Sequence, residues 1–164
     1  MRKPAEEIKE KMEFWFFKYY KKALEDFDGT EAFTLFDLLE EKQKKELIAR
    51  LNLRENELPV LILKISEEVV VVNTTERFIR MSESGNEPIE YTSFAWHDGY
   101  ESILVEKLPN GKHISVKTNG YLSKFKLRLR NKEIILWDIP TGSPGFAFWN
   151  VTKRCEWIGQ KYLK

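Results

Sequence analysis

Residues 59–82, PVLILKISEEVVVVNTTERFIRMS, change the period of the chain. "PVLILKIS" and "VVVVNTT" are short, β-branched and separated by the polar "SEE", the pattern of two paired strands, and "ERFIRMS" reads as a third. Upstream of Pro59 the apolar residues recur at helical spacing instead. The switch at this point divides the chain into a helical stretch, 1–56, and a strand-rich stretch from 57 to 164.

Further strands follow. The turn-rich "ESGNEP" precedes "IEYTSFAW", and "ESILVEKL" and "KHISVKT" flank Pro109-Asn110-Gly111, a strong hairpin signal. "KFKLRLR" and "IILWDI" flank Asn131-Lys132-Glu133, a second hairpin. Six or seven strands at this spacing indicate an antiparallel barrel or sandwich. Past them, Ser143 reads as an N-cap with Pro144 at the first helical position. Phe148, Val151 or Thr152, Cys155 and Ile158 then share one face, with Gly159 as C-cap.

The helical stretch opens with Pro4, Glu6 and Glu7, residues suited to a helix start. Ile8, Met12, Trp15, Tyr19 and Phe27 keep helical spacing up to Asp28-Gly29, so the expected helix covers 4–27. Its middle, "FWFFKYY", is aromatic nearly all round, which fits either core packing or an interface. Trp15, Phe17 and Tyr20 are the interface candidates. A second helical stretch is expected from Thr34, with Phe33 and Leu38 as a staple around Thr34 and Asp37. The polar "EEKQKKE" is either a turn between two short helices or one exposed helix with pairs such as Glu41 and Lys45.

At 164 residues, with 42% hydrophobic and 32% charged residues, the chain can bury about 70% of its unfolded surface and fold without metal or disulfide. A formal charge of +1 gives no general attraction to nucleic acid or anionic membrane. Cys155 is the only cysteine, which excludes an intrachain disulfide and a cysteine-based zinc site within one chain. No run approaches the ~20 apolar residues of a membrane span, so the chain is expected to be soluble and cytoplasmic.

The element order resembles the bacterial pleckstrin-homology-like domains over about residues 57–160. "VVVVNTTERFIRM" is similar to that family's strand, "T-x-x-R", strand stretch, "IEYTSFAW" to its "I-x-Y-x-x-I" strand, and the aromatic C-terminal helix to its closing helix. The resemblance implies an α+β fold in which N-terminal helices precede an antiparallel barrel of six or seven strands closed by a C-terminal helix. It also implies a non-catalytic module that binds proteins or lipids; recognition is expected in a groove beside the C-terminal helix, on the aromatic first helix, or by addition of a bound peptide to an exposed strand edge. Eukaryotic relatives hold inositol phosphates with basic residues on the first two strands. Here Lys64 is followed by Glu67 and Glu68, which would repel phosphate.

Lys124, Lys126, Arg128, Arg130 and Lys132 place a cation at every second residue. On a strand these share one face about 6–7 Å apart, with Phe125, Leu127 and Leu129 on the other. Lys117, Lys126, Arg128 and Arg130 are the candidate anion contacts, for lipid headgroups or nucleic acid. The bland alternative is a solvated strand face neutralised by acids such as Glu106 and Glu133. A single-strand binder would need aromatic rings beside the cations, and the neighbouring strand in sequence offers only His113, Ser115 and Lys117.

His97-Asp98 in "WHDGY" is the best catalytic-looking pair, although "HDG" reads more simply as a turn. No H-E-x-x-H, G-x-S-x-G or phosphate loop occurs. Cys155, on the inward helix face, reads as a core thiol. The expectation is a binding or scaffolding module with no catalytic residue, cofactor or metal. Its partner is a protein or a second copy of the chain; a lipid or nucleic-acid ligand is the alternative, and an enzyme the third reading.

Overall fold

The computed structural model describes residues 1–101, 105–107, 114–116 and 121–164, with the strands at 105–107 and 114–116 described by their backbone. The fold is α+β. A helix, α1 (Ala5–Tyr20), precedes β1 (Phe33–Leu35) and α2 (Glu41–Leu51). Four strands then run as a meander: β2 (Pro59–Lys64), β3 (Val70–Thr74), β4 (Arg77–Ser82) and β5 (Gly85–Glu90). After β6 (Phe94–Tyr100), β7 (Val105–Lys107) and β8 (Ile114–Val116) come β9 (Leu122–Leu129), β10 (Ile134–Pro140), α3 (Ser143–Thr152) and α4 (Cys155–Lys161).

The strands form separate antiparallel ladders: β1-β2-β3-β4-β5, β10-β9-β6 and the β7-β8 pair. The hairpin at Asn131-Lys132-Glu133 joins β9 to β10 as expected. The turn at 109–111 lies outside the described residues. "IEYTSFAW" is not one strand: Tyr91, Thr92 and Ser93 form the turn between β5 and β6, where the chain passes from one sheet to the other.

α1 ends at Tyr20 rather than Phe27. Lys21 takes a left-handed conformation and the chain folds back, so that Phe27 packs on Phe16 at 5.0 Å and Tyr20 at 5.4 Å. The second helix does not start at Thr34. Phe33–Leu35 pairs with β2 instead, and the Thr34 hydroxyl donates to Glu31 Oε1 at 3.1 Å. Edge pairing satisfies three backbone residues whose side chains are all buried, which a capped helix start could not do.

α2 resolves the polar "EEKQKKE" as one exposed helix, with Lys44 rather than Lys45 paired to Glu41 at 2.9 Å. It buries Leu47 and Leu51 against Ile62, Val72, Ile79 and Met81 on the outer side of the five-stranded sheet. Leu61, Leu63, Val71 and Phe78 face the main core on the other side. Both faces of β2 are therefore covered, which is why "VLIL" is continuously apolar instead of alternating.

The C-terminal segment is two helices, broken at Lys153 and Arg154. The Thr152 hydroxyl donates back to the Phe148 carbonyl at 2.6 Å, a bond that competes with helix continuation. Gly142, not Ser143, occupies the N-cap position. Gly159 lies inside α4: a Cβ there would meet the Tyr91 carbonyl oxygen at 2.1 Å, so the helix rests backbone against backbone on the β5–β6 turn. Phe148 of α3 sits between Phe33 and Phe78 of the larger sheet and Phe125 of the smaller, with ring centroids 6.0–6.2 Å apart. Through β1 and through Ile8, Met12 and Phe16 of α1, residues 1–56 share the sheet and core of the rest.

Candidate functional site

The alternation on β9 is as the sequence requires. Ser123, Phe125 and Leu127 are buried, whereas Lys124, Arg128 and Arg130 are exposed and Lys126 half-exposed. The neighbours of β9, however, are β6 and β10, not β8. They bring acids to the cations: Lys124 pairs with Asp138 at 3.0 Å, Arg128 with Asp98 at 2.9 Å, and Arg130 with Glu156 of α4. Lys126 has no ion-pair partner among the described residues. Lys117 lies outside the described residues, and so does His113.

The same neighbours bring apolar groups. Trp96 of β6 stands opposite Arg128, and Ile134 of β10 flanks Arg128 on its other side. Leu136 is opposite Lys126. Trp96 is 51% exposed, and Ile134, Leu136 and Leu122 are exposed by 42–45%. Four of the chain's exposed large hydrophobic residues thus share the outer face of the three-stranded sheet with the basic stripe. Sequence reasoning missed Trp96 because it assumed the wrong neighbouring strand.

The aromatic helix distributes its rings differently. Trp15 is 7% exposed and packs edge-on to Trp157 at 6.1 Å, under the Arg154 guanidinium at 5.8 Å. Phe17 and Tyr20 are half-buried around Phe27. The rings most open to solvent on α1 are Phe14 and Tyr19.

His97 and Asp98 diverge, since adjacent strand residues face opposite ways. Asp98 points outward to Arg128. His97 is fully buried, ringed by Phe78, Phe94, Phe125 and Phe148 at 4.8–5.7 Å. Its Nε2 lies 2.9 Å from Thr152 Oγ1, whose own proton goes to the Phe148 carbonyl, so His97 donates and is the neutral Nε2–H tautomer. Burial, with a smaller contribution from Lys153, holds its pKa down at about 3. "HDG" is strand rather than turn, with Gly99 in a β-bulge at φ 86.

The "T-x-x-R" residues build the β3–β4 turn. Thr74 Oγ1 accepts the N–H groups of Glu76 and Arg77 and donates to Glu57 Oε1 at 2.6 Å. Arg77 forks onto Glu57, Nε to Oε1 at 2.8 Å and Nη2 to Oε2 at 3.0 Å. Burial alone would raise the Glu57 carboxyl, but bonds from Arg77, the Arg54 N–H and Thr74 outweigh it and hold the pKa below the usual range. Arg54 bridges Glu76 and Glu90, and Arg2 joins Glu76.

Lys64 donates to the Gly29 carbonyl at 2.6 Å, so it serves the loop before β1. Cys155 is buried beside Tyr91, and burial pushes its thiol up to about 12. Among the described residues no group of three or more His, Cys, Asp or Glu side chains is placed to hold a metal ion, and no helix is long and apolar enough to cross a membrane. Compared with protein-family models, with curated proteins and with solved structures, the chain has no match.

Proposed function

We propose that this chain is a non-catalytic, cytoplasmic scaffold of pleckstrin-homology-like architecture, and that it binds protein through the outer face of β6, β9 and β10. The architectural reading is supported by the order of elements over 57–164. A four-strand meander precedes a three-stranded sheet, and a C-terminal helix contributes Phe148 between them. The non-catalytic reading is supported by His97, which is enclosed by aromatic rings with no carboxylate within hydrogen-bond reach among the described residues.

The observation that carries the binding reading is the row Trp96, Arg128, Ile134 across the three strands. An apolar centre containing Trp and Arg with a rim of charge pairs is the anatomy of a protein interface. A phosphate-binding surface would present its cations unpaired, and here three of the four on this face are joined to acids. The face also carries both signs of charge around its apolar residues. Such a face can meet itself about a two-fold axis, and a second copy of the chain is the proposed occupant.

The face is about 14 Å across its three strands and roughly 23 Å along them. That is smaller than the ~800 Å² per partner of a standard complex, so the association is weak and concentration-dependent. Sedimentation velocity on the native chain and a Trp96→Lys variant tests it: the variant is expected to remain monomeric where the native chain associates.

A further inference from the structure

Two adjoining clefts of about 220 and 320 Å³ lie along the seam between α1 and the α3–α4 turn, with Trp15 and Arg154 common to both. One is completed by Lys18, Tyr19, Asn150 and Lys153, the other by Lys11 and Trp157. Among the described residues neither lining contains an Asp or Glu.

The four cations differ from those of β9. Lys11, Lys18, Lys153 and Arg154 take part in none of the ion pairs among the described residues. Of the acids near these cations, Glu7 pairs with Lys3, Glu13 with Lys9 and Glu156 with Arg130, while Glu10 beside Lys11 and Asp26 near Lys18 line neither cleft. Lys11 and Lys18 lie 5.6 and 5.9 Å from the Phe14 ring, and Arg154 lies over Trp15. Among the described residues Lys153 donates to the Asn150 side-chain oxygen, at 3.3 Å. Like charges gathered on facing elements repel, and an anionic occupant would relieve that repulsion.

We propose that this seam binds a short acidic segment of a polypeptide that also carries an apolar side chain. Carboxylates meet the four cations, and the apolar side chain meets Trp15, Tyr19 and Trp157. Lys11 and Lys18 are seven residues apart on α1, about 10 Å, a span that three residues of extended chain cover. The concave shape favours a peptide over a bilayer. Trp15, only 7% exposed, forms the floor, beneath the reach of a flat lipid surface but open to an inserted side chain. This site is separate from the β6-β9-β10 face and stands or falls independently of it.

The test uses a fluorescein-labelled peptide, Glu-Glu-Phe-Glu-Glu-Leu, titrated with the full chain and read by fluorescence anisotropy at low and physiological salt. A parallel arm sediments the chain with phosphatidylserine-containing vesicles. The native chain is expected to bind the peptide, more weakly as salt rises. Lys18→Glu/Arg154→Glu is expected to lower the affinity by about tenfold or more, and Lys11→Ala/Lys153→Ala by less. Lys45→Glu, an exposed position on α2 that lines neither cleft, is expected to leave it unchanged. Matching thermal midpoints establish that each variant is folded, and the milder pair provides the test if the charge reversal is not. No peptide binding, or equal binding by every variant, overturns the proposal. Vesicle binding that needs Lys18 and Arg154, without peptide binding, overturns it in favour of a membrane surface.

Discussion

Arg128 donates Nε to Asp98 Oδ2 at 3.0 Å across the β6–β9 pair, and its Nη2 lies 2.9 Å from the same oxygen as an ion pair. Its charge is therefore already committed within the sheet. The pair is exposed, so its loss should cost less than about 1 kcal/mol of stability. Asp98→Ala is expected to lengthen retention on a heparin column at low salt by freeing the guanidinium, whereas Arg128→Ala should leave native retention nearly unchanged. A large drop in retention with Arg128→Ala alone would return the stripe to the anion-binding reading.

The Arg77–Glu57 pair behaves oppositely because it is sequestered: the Glu57 side chain is 0% exposed and that of Arg77 11%. Arg77→Met leaves a buried carboxylate without its partner and should cost about 3–5 kcal/mol. Urea denaturation is expected to show a lower midpoint with an unchanged slope. Adding Glu57→Gln to that variant should recover part of the loss. Equal destabilisation by Arg77→Met and Arg128→Met would contradict the distinction drawn between the two pairs.

His97 links stability to pH. Its folded pKa, about 3, lies below the ordinary 6.5, so the neutral form is favoured in the native state and the unfolded chain binds the proton more readily. The stabilisation is present above pH 6.5 and is lost as pH falls toward about 3. Between pH 6.5 and about 5 the loss from this group is on the order of 2 kcal/mol. The depressed Glu57 carboxyl adds its own loss only below the ordinary carboxylate range, about 4.5. His97→Phe should flatten the stability profile between pH 6.5 and 5. A profile as steep as the native one would mean that another group carries the dependence.

Gly159→Ala places a methyl group against the Tyr91 carbonyl, a backbone atom that cannot swing away. We expect overpacking of about 1–3 kcal/mol, seen as a lower thermal midpoint with loss of helical signal from the C-terminal segment. A neutral outcome would show that α4 can lift off the β5–β6 turn without cost.

The alternation of β9, the hairpin at Asn131-Lys132-Glu133 and the start of α1 were legible because each depends on neighbours in sequence. What was not legible depends on pairing at a distance. β1 joins β2 across some 26 residues, Leu35 to Leu61, and nothing local marks Phe33–Leu35 as a strand. The β7–β8 pair intervenes between β6 and β9, so the strand preceding β9 in sequence is not its partner in the sheet. That single displacement concealed Trp96 from the basic stripe and set Asp98 and Asp138 rather than Glu133 against its cations; the Glu106 side chain lies outside the described residues. The apolar spacing of Phe27 continued that of α1, although its ring returns to Phe16 only because the chain reverses at Lys21.

The most direct test of the proposed interface is sedimentation velocity of the native chain and Trp96→Lys over a wide concentration series. The account predicts that the native weight-average mass rises above the 19.5 kDa monomer toward the dimer, while Trp96→Lys stays at the monomer mass with an unchanged thermal midpoint. A native chain that remains at 19.5 kDa throughout, or a variant that associates as strongly as the native chain, would contradict it.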